Sequence, residues 1–185
     1  MAELYRFFAS SGGDTREYTQ IDWAEVISTI FREGVAPGVG DRLAVVPTDP
    51  PSMAVIVRSG VAMFRGYWYR NTTSKEIVIQ VAHPTLPRID RIVLRLDINV
   101  DRKIEALAKT GTPASQPSPP PLEQNTNYWE FSLAQLYVAA SATQITADDI
   151  TDERVFAAQA RNIYLSPNPP GSTQGSEGDI WIQWG

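Results

Sequence analysis

The sequence predicts a mainly β protein: an antiparallel β-sandwich or barrel-like domain with one N-terminal α-helix and an extended, Pro- and Gly-rich C-terminal arm. Three observations lead there. Short apolar runs separated by turn residues recur roughly every 8–15 residues, the rhythm of sandwiches and barrels. Residues 88–97 (Arg-Ile-Asp-Arg-Ile-Val-Leu-Arg-Leu-Asp) alternate charge and aliphatic side chain with the period of two that belongs to a strand. Fourteen prolines and twelve glycines favour a loop-rich β protein over a helical one.

Residues 4–9 read as a strand that Ser11, Gly12, Gly13 and Asp14 turn. The helix follows. Thr19-Gln20-Ile21-Asp22 has the form of a capping box, with an acid shorter than the usual Glu, and Ile21, Trp23, Val26, Ile27, Ile30 and Phe31 recur at mostly helical spacing. Gly34 fits the position just after the helix, where a left-handed backbone costs glycine little. Strands are then predicted at 43–46, 53–57, 61–64, 67–69 and 77–81. Thr48-Asp49-Pro50-Pro51 reads as a turn, Ser59-Gly60 as a tight hairpin between its flanking strands, and residues 71–74 as another turn.

The strand at 88–97 is expected to offer an apolar face from Ile89, Ile92, Leu94 and Leu96. Asp90, Arg91, Arg95 and Asp97 mix both signs on or near the other face. Residues 103–109 are suited to pair with it antiparallel through a connection at 99–102. Residues 110–127 hold Pro113, Pro117, Pro119, Pro120 and Pro121 and read as a long exposed loop of polyproline-like backbone. Residues 129–142 fit a helix about as well as a strand, and the β-favouring Tyr137, Val138 and Ile145 tip the reading to a buried strand. A short helical turn is expected within 146–154, with 154–160 able to lengthen it. Residues 166–178 cannot bury enough apolar area to fold alone. The chain then closes on alternating Ile180, Trp181, Ile182 and Trp184, which either fold back as an edge strand or add a strand to another chain. The organisation is thus 1–40 for the first strand and helix, 41–160 for the β domain, and 161–185 for the arm.

Composition removes several function classes. A net charge of −5 leaves no basic field for nucleic-acid binding. No cysteine is present, so disulfides, thiolate metal sites and cysteine nucleophiles are excluded. The first residues lack the pattern of an export signal, and no stretch approaches the roughly 20 apolar residues of a bilayer span. The expectation is a protein made and kept in aqueous solution, unless it leaves the cell by another route, with no membrane partner.

Candidate chemistry is sparse. The acidic cluster Asp148, Asp149, Asp152 and Glu153 lacks the spacing of a calcium-binding loop and reads as a helix cap or solvated face. Gly34, Gly38, Gly40 and the Lys109-Thr110-Gly111-Thr112 run do not form a phosphate loop. The single histidine, His83, sits beside Pro84 with no motif-spaced serine and reads as a surface or packing residue. No metal, cofactor or catalytic residue is predicted. Tyr67, Trp68 and Tyr69 are the best candidates for ligand contact, because amphipathic rings bury area and stack with little entropy loss.

Four segments in this order resemble phage virion proteins of the tail-tip, baseplate-upper or fibre-attachment kind: Gly60-Val-Ala-Met-Phe-Arg-Gly-Tyr-Trp-Tyr69, residues 88–97, Lys109-Thr-Gly-Thr-Pro-Ala-Ser115 and Ile150-Thr-Asp-Glu-Arg154. The resemblance spans about residues 41–154. It implies a non-enzymatic structural domain of a phage tail, baseplate or virion appendage, assembled in the host cytoplasm. Such a domain attaches or positions fibres through contacts with other tail, baseplate, fibre or neck subunits, often as a homo-oligomer such as a trimer. The arm departs from longer relatives, which points to an adaptor, collar or tail-completion role. The expected interface residues are Ile180, Trp181, Ile182 and Trp184 of the arm and Arg88, Asp90, Arg91 and Arg95 of the mixed-sign strand. The alternative is a carbohydrate-binding β-sandwich that reads a host surface polysaccharide through Tyr67, Trp68 and Tyr69. A hydrolytic tail enzyme would need converging carboxylates, which the sequence does not advertise.

Overall fold

The computed structural model describes residues 9–13, 15–157, 163–169, 171 and 180–183. Residues 4–8 of the predicted strand at 4–9 and residues 158–160 of the predicted helical lengthening at 154–160 lie outside them; residues 154–157 do not lengthen the helical turn but run extended beside Val35, their main chain paired with it. Helix α1 (Gln20–Ile30) begins with the predicted capping box: Thr19 N–H and Oγ1 donate to Asp22 Oδ2 at 2.7 and 2.8 Å, and Asp22 N–H donates back to Thr19 Oγ1. A cap of this kind contributes about 1 kcal/mol. The helix ends at Phe31, which turns to extended backbone. Gly34 is therefore not its terminating residue; it opens strand β1 (Gly34–Val35), which packs beside 155–157.

The remaining elements are β2 (Val45–Ser52), β3 (Ala54–Val57), β4 (Gly60–Phe64), β5 (Tyr67–Asn71), β6 (Lys75–Val78), β7 (Arg88–Asp97), β8 (Lys103–Lys109), β9 (Tyr128–Val138), β10 (Ile150–Asp152), β11 (Ile163–Ser166) and β12 (Ile180–Gln183). They form a mainly β structure with two three-stranded antiparallel sheets, β1-β4-β5 and β2-β3-β6, and a four-stranded antiparallel sheet, β10-β9-β7-β8. Among the described residues no sheet closes into a barrel, which leaves the sandwich reading. The separate pair β11-β12 is parallel. A short helical turn, Ala147–Asp149, precedes β10 within the segment where one was expected.

One core unites the three antiparallel sheets. Val35, Val55, Val57, Phe64 and Ile77 meet Ile92, Leu94, Leu96, Leu133 and Leu136, and the Phe64 ring stacks on Phe131 at 5.7 Å. Each fully buried side chain of this size contributes about 1.5–3 kcal/mol. Strands β7 and β8 pair antiparallel as expected, and their register sets Leu94 opposite Ala106 and Arg95 opposite Glu105. Strand β9 is the buried strand that the aromatic and β-branched residues favoured.

Three expectations are corrected. Ser59-Gly60 is not a tight hairpin, because β3 and β4 belong to different sheets; the two residues carry the chain across, held by Leu43 N–H on Ser59 O and Ser59 Oγ on Asp41. The tight hairpin is one step later, at Arg65-Gly66, where both residues have positive φ (54° and 76°) as a two-residue turn of that kind requires. The turn predicted at 48–51 is instead a break in register inside β2, between Pro47 and Ser52. The proline-rich loop is not simply exposed. It lies along the outer face of the four-stranded sheet, where Pro113, Pro117, Pro119 and Pro120 are half-buried and Ala114 N–H donates to Pro87 O. Proline suits this cover because it adds apolar area without an N–H that would need a partner.

Helix α1 rests on the Arg65-Gly66 turn, and a Cβ added at Gly66 would lie 1.9 Å from Ala24 O. Arg65 N–H also donates to Glu33 Oε1 at 2.9 Å. Gly66→Ala is therefore expected to cost about 1–3 kcal/mol in backbone strain alone and to lift the helix from the sheet. Thermal unfolding and proteolysis between α1 and β1 check this, and an unchanged melting temperature would refute it.

Candidate functional site

The mixed-sign strand β7 is the first sequence-predicted site, and the structure places its charges differently from the expectation. Strict alternation puts Arg88, Asp90, Ile92, Leu94 and Leu96 on one face and Ile89, Arg91, Val93, Arg95 and Asp97 on the other. Arg88 and Asp90 thus lie on the core face, 3% and 0% exposed, and are not interface residues. Arg88 Nε donates to Asp90 Oδ1 at 2.9 Å, its two terminal nitrogens donate to Val81 O and Gln80 O, and Gly111 N–H donates to Asp90 Oδ1 at 2.8 Å. The pair is an internal staple that ties the irregular segment after β6 and the start of the proline-rich loop to the central strand.

The charges of the other face are also spent within the chain. Arg91 forks onto Glu153 (2.8 and 3.1 Å) and donates to Pro120 O, and Ser132 and Gln135 donate to the same carboxylate. Burial alone would raise the Glu153 carboxyl, but Arg91, Ser132 and Gln135 outweigh it and hold it below its ordinary value. Glu130 is fully buried and accepts from Arg95 (2.6 Å), Lys109 (2.7 Å) and Glu123 N–H (2.6 Å). Burial raises its carboxyl too, and Lys109, Glu123 N–H and Arg95 together bring it below the ordinary value. Arg91 and Arg95 are half-buried fasteners for the loop rather than a free docking face.

Tyr67, Trp68 and Tyr69 do come together with further groups. Strands β5 and β8 each end a sheet, and between them runs a cleft of about 340 Å³ lined by these three residues with Arg70, Arg102 and Lys103. Alternation half-buries Tyr67 and Tyr69 and leaves Trp68 57% exposed. Burial, and secondarily the Glu105 carboxylate, raises the Tyr69 hydroxyl, so it stays protonated. Lys103 is held by Asp101 and Glu105, both at 3.2 Å. Asp97, at the floor, is occupied by backbone donors: Val100 N–H first, then Asp101 and Asn99, which hold its carboxyl low. Among the described residues Arg70 and Arg102 have no ion-pair or hydrogen-bond partner. The sequence marked the aromatic trio; Arg102 escaped notice because it lies 34 positions from Trp68 and joins the cleft only through the pairing of β7 with β8.

The arm folds back: β12 pairs with β11, Ile163 opposite Ile180, in parallel. Trp181 stacks on Tyr164 at 4.8 Å and donates through Nε1 to Asn168 O. Ile182 is 48% exposed, and Trp184 lies outside the described residues. His83 is a turn residue whose Nδ1 accepts from Leu86 N–H at 3.1 Å. Asp149 caps the turn before β10 through Thr146, and Asp152 pairs with Arg154. Among the described residues no group of three or more His, Asp or Glu side chains gathers to hold a metal, and no helix is long and apolar enough to cross a membrane.

The four segments quoted for the resemblance are structural joints. The first is the β4-β5 hairpin, the second the central strand, and the third carries the chain from β8 over Asp90 and Pro87 into the loop. The fourth forms edge strand β10, after which Arg154 donates to Arg42 O and Asp152. In the comparisons with known proteins, no family model, no curated protein and no solved structure matches this chain.

Proposed function

We propose that this chain is a non-enzymatic structural protein of a phage tail, baseplate or virion appendage, acting through contacts between subunits. The single observation that carries the reading is the exposed apolar area on α1 and on the residue that ends it. Val26 and Ile27 are half-buried, whereas Ile21, Ile30 and Phe31 are 61%, 66% and 49% exposed. Apolar side chains gathered on one element mark an interaction surface rather than random surface composition. The four ordered segments that resemble tail and baseplate proteins support the same reading, since each secures the scaffold that presents the helix. The partner is a neighbouring virion subunit, with copies of this chain as the first case. Strand β12, whose one edge is taken by β11, offers its other edge to a neighbour in the same assembly.

The test is the oligomeric state. Size-exclusion chromatography with light scattering is expected to give a multimer, a trimer being the form implied by the resemblance. The double substitution Ile21→Glu and Ile30→Glu is expected to give monomers with an unchanged β-type circular dichroism spectrum. A monomeric unsubstituted chain, or a multimer that survives both substitutions, would overturn the helix as the assembly surface.

A further inference from the structure

We infer that the cleft between β5 and β8 is a binding site for an acidic saccharide, one bearing uronic-acid carboxylates. The inference does not depend on the assembly reading, which rests on α1. Three features of the cleft carry it. First, Trp68 presents an exposed ring on one face of β5, while Tyr67 and Tyr69, half-buried on the other, border the same cleft. The negative face of an aromatic ring attracts the polarised C–H groups along one side of a pyranose, and rigid rings lose little entropy when they do so. Second, the uncommitted charge in the cleft is positive. Asp97 is occupied by backbone donors and Lys103 by Asp101 and Glu105, whereas the guanidinium groups of Arg70 and Arg102 have no partner among the described residues. A planar guanidinium matches a carboxylate in bidentate geometry, the contact that would separate an acidic sugar from a neutral one. Third, the volume of about 340 Å³ lies at the small end of ligand pockets, so a short stretch of a chain fits it.

A net charge of −5 argues against a dense polyanion such as nucleic acid, whose affinity comes from a broad basic field. A sugar chain with one carboxylate per ring asks less. An acidic peptide could use the two free strand edges, but main-chain pairing there would not call on the exposed ring of Trp68.

The experiment titrates the full chain with tetragalacturonate, with neutral maltotetraose and with a tetraglutamate peptide, followed by calorimetry and tryptophan fluorescence at low salt. Tetragalacturonate is expected to bind saturably and maltotetraose about tenfold more weakly or worse. Arg70→Ala and Arg102→Asn together are expected to raise the Kd for tetragalacturonate by more than about tenfold. Asparagine is chosen because Arg102 has φ 48°, a conformation that asparagine tolerates. Trp68→Ala is expected to weaken binding similarly, and Trp68→Phe less. Absence of saturable tetragalacturonate binding would overturn the proposal. So would equal binding by maltotetraose, equal or tighter binding by tetraglutamate, or binding unchanged by the paired arginine substitutions. All variants alter exposed side chains, and melting curves matching the unsubstituted chain confirm that each is folded.

Discussion

Asp90→Ala is expected to destabilise the protein by about 3–5 kcal/mol, the cost of leaving a buried charge without its partner. At this chain length that is roughly 6–20 °C in melting temperature. The reason is local and complete. Arg88 and Asp90 are inside the domain, and alanine would leave the guanidinium facing Ile92-side core residues and would strand Gly111 N–H. Asp90→Asn, which keeps an acceptor for Gly111, is expected to lose less. The informative variant is the double replacement Arg88→Met with Asp90→Leu. It removes both desolvated charges, and the carbonyls of Gln80 and Val81 that lose Arg88 belong to residues exposed at the surface. It should therefore recover much of the loss, since apolar residues often replace a buried ion pair without penalty. Chemical denaturation measures all three, and an Asp90→Ala loss below about 1 kcal/mol would show that the pair is no staple.

Glu130→Ala is expected to cost about 2–4 kcal/mol, somewhat less because Arg95 and Lys109 keep part of their contact with water when the carboxylate is gone. Its second effect is on the proline-rich loop. The Glu130 carboxylate accepts from Glu123 N–H at the end of that loop, a bond alanine removes, so proteolysis within 112–122 should accelerate. The pH dependence follows from the same contacts. The folded carboxyl is held below its ordinary value of 4.5, so the unfolded chain binds the proton more readily. The stabilisation is therefore full above about pH 4.5 and is lost as pH falls through the lower folded value. Asp97, Glu105, Asp152 and Glu153 are shifted in the same direction. Acid unfolding should be steep, and Glu130→Gln should flatten it below about pH 4.5 while leaving the neutral-pH loop protection closer to the original than Glu130→Ala does. Acid curves of equal slope would refute the assigned role of Glu130.

Residues near in sequence and acting through local geometry were legible. The capping box at Thr19 and Asp22 needs only one helical turn, and the β7-β8 pairing needs only alternation and a short connection. The aromatic trio could be marked as ligand-competent from residue type alone. Alternation also says which residues share a face, and read strictly it would have grouped Arg88 and Asp90 with Ile92. It does not say which face will be covered, or by what. That depended on a proline-rich segment lying down on the second side of the sheet, on Glu130 meeting Arg95 from 35 positions away, and on Glu153 meeting Arg91 from 62.

By itself, then, the sequence determined a β protein with one capped helix, the central paired strands and a chain whose aromatic residues cluster in β5, because propensity, period and caps act over a few residues. Only the tertiary structure decided that the charges of β7 serve inward as fasteners, that Ser59-Gly60 crosses between sheets, and that Arg102 joins Trp68 in one cleft. Those outcomes are set by strand register and by which faces meet, and burial and ion pairing acquire their energies only once distant segments have been brought into contact.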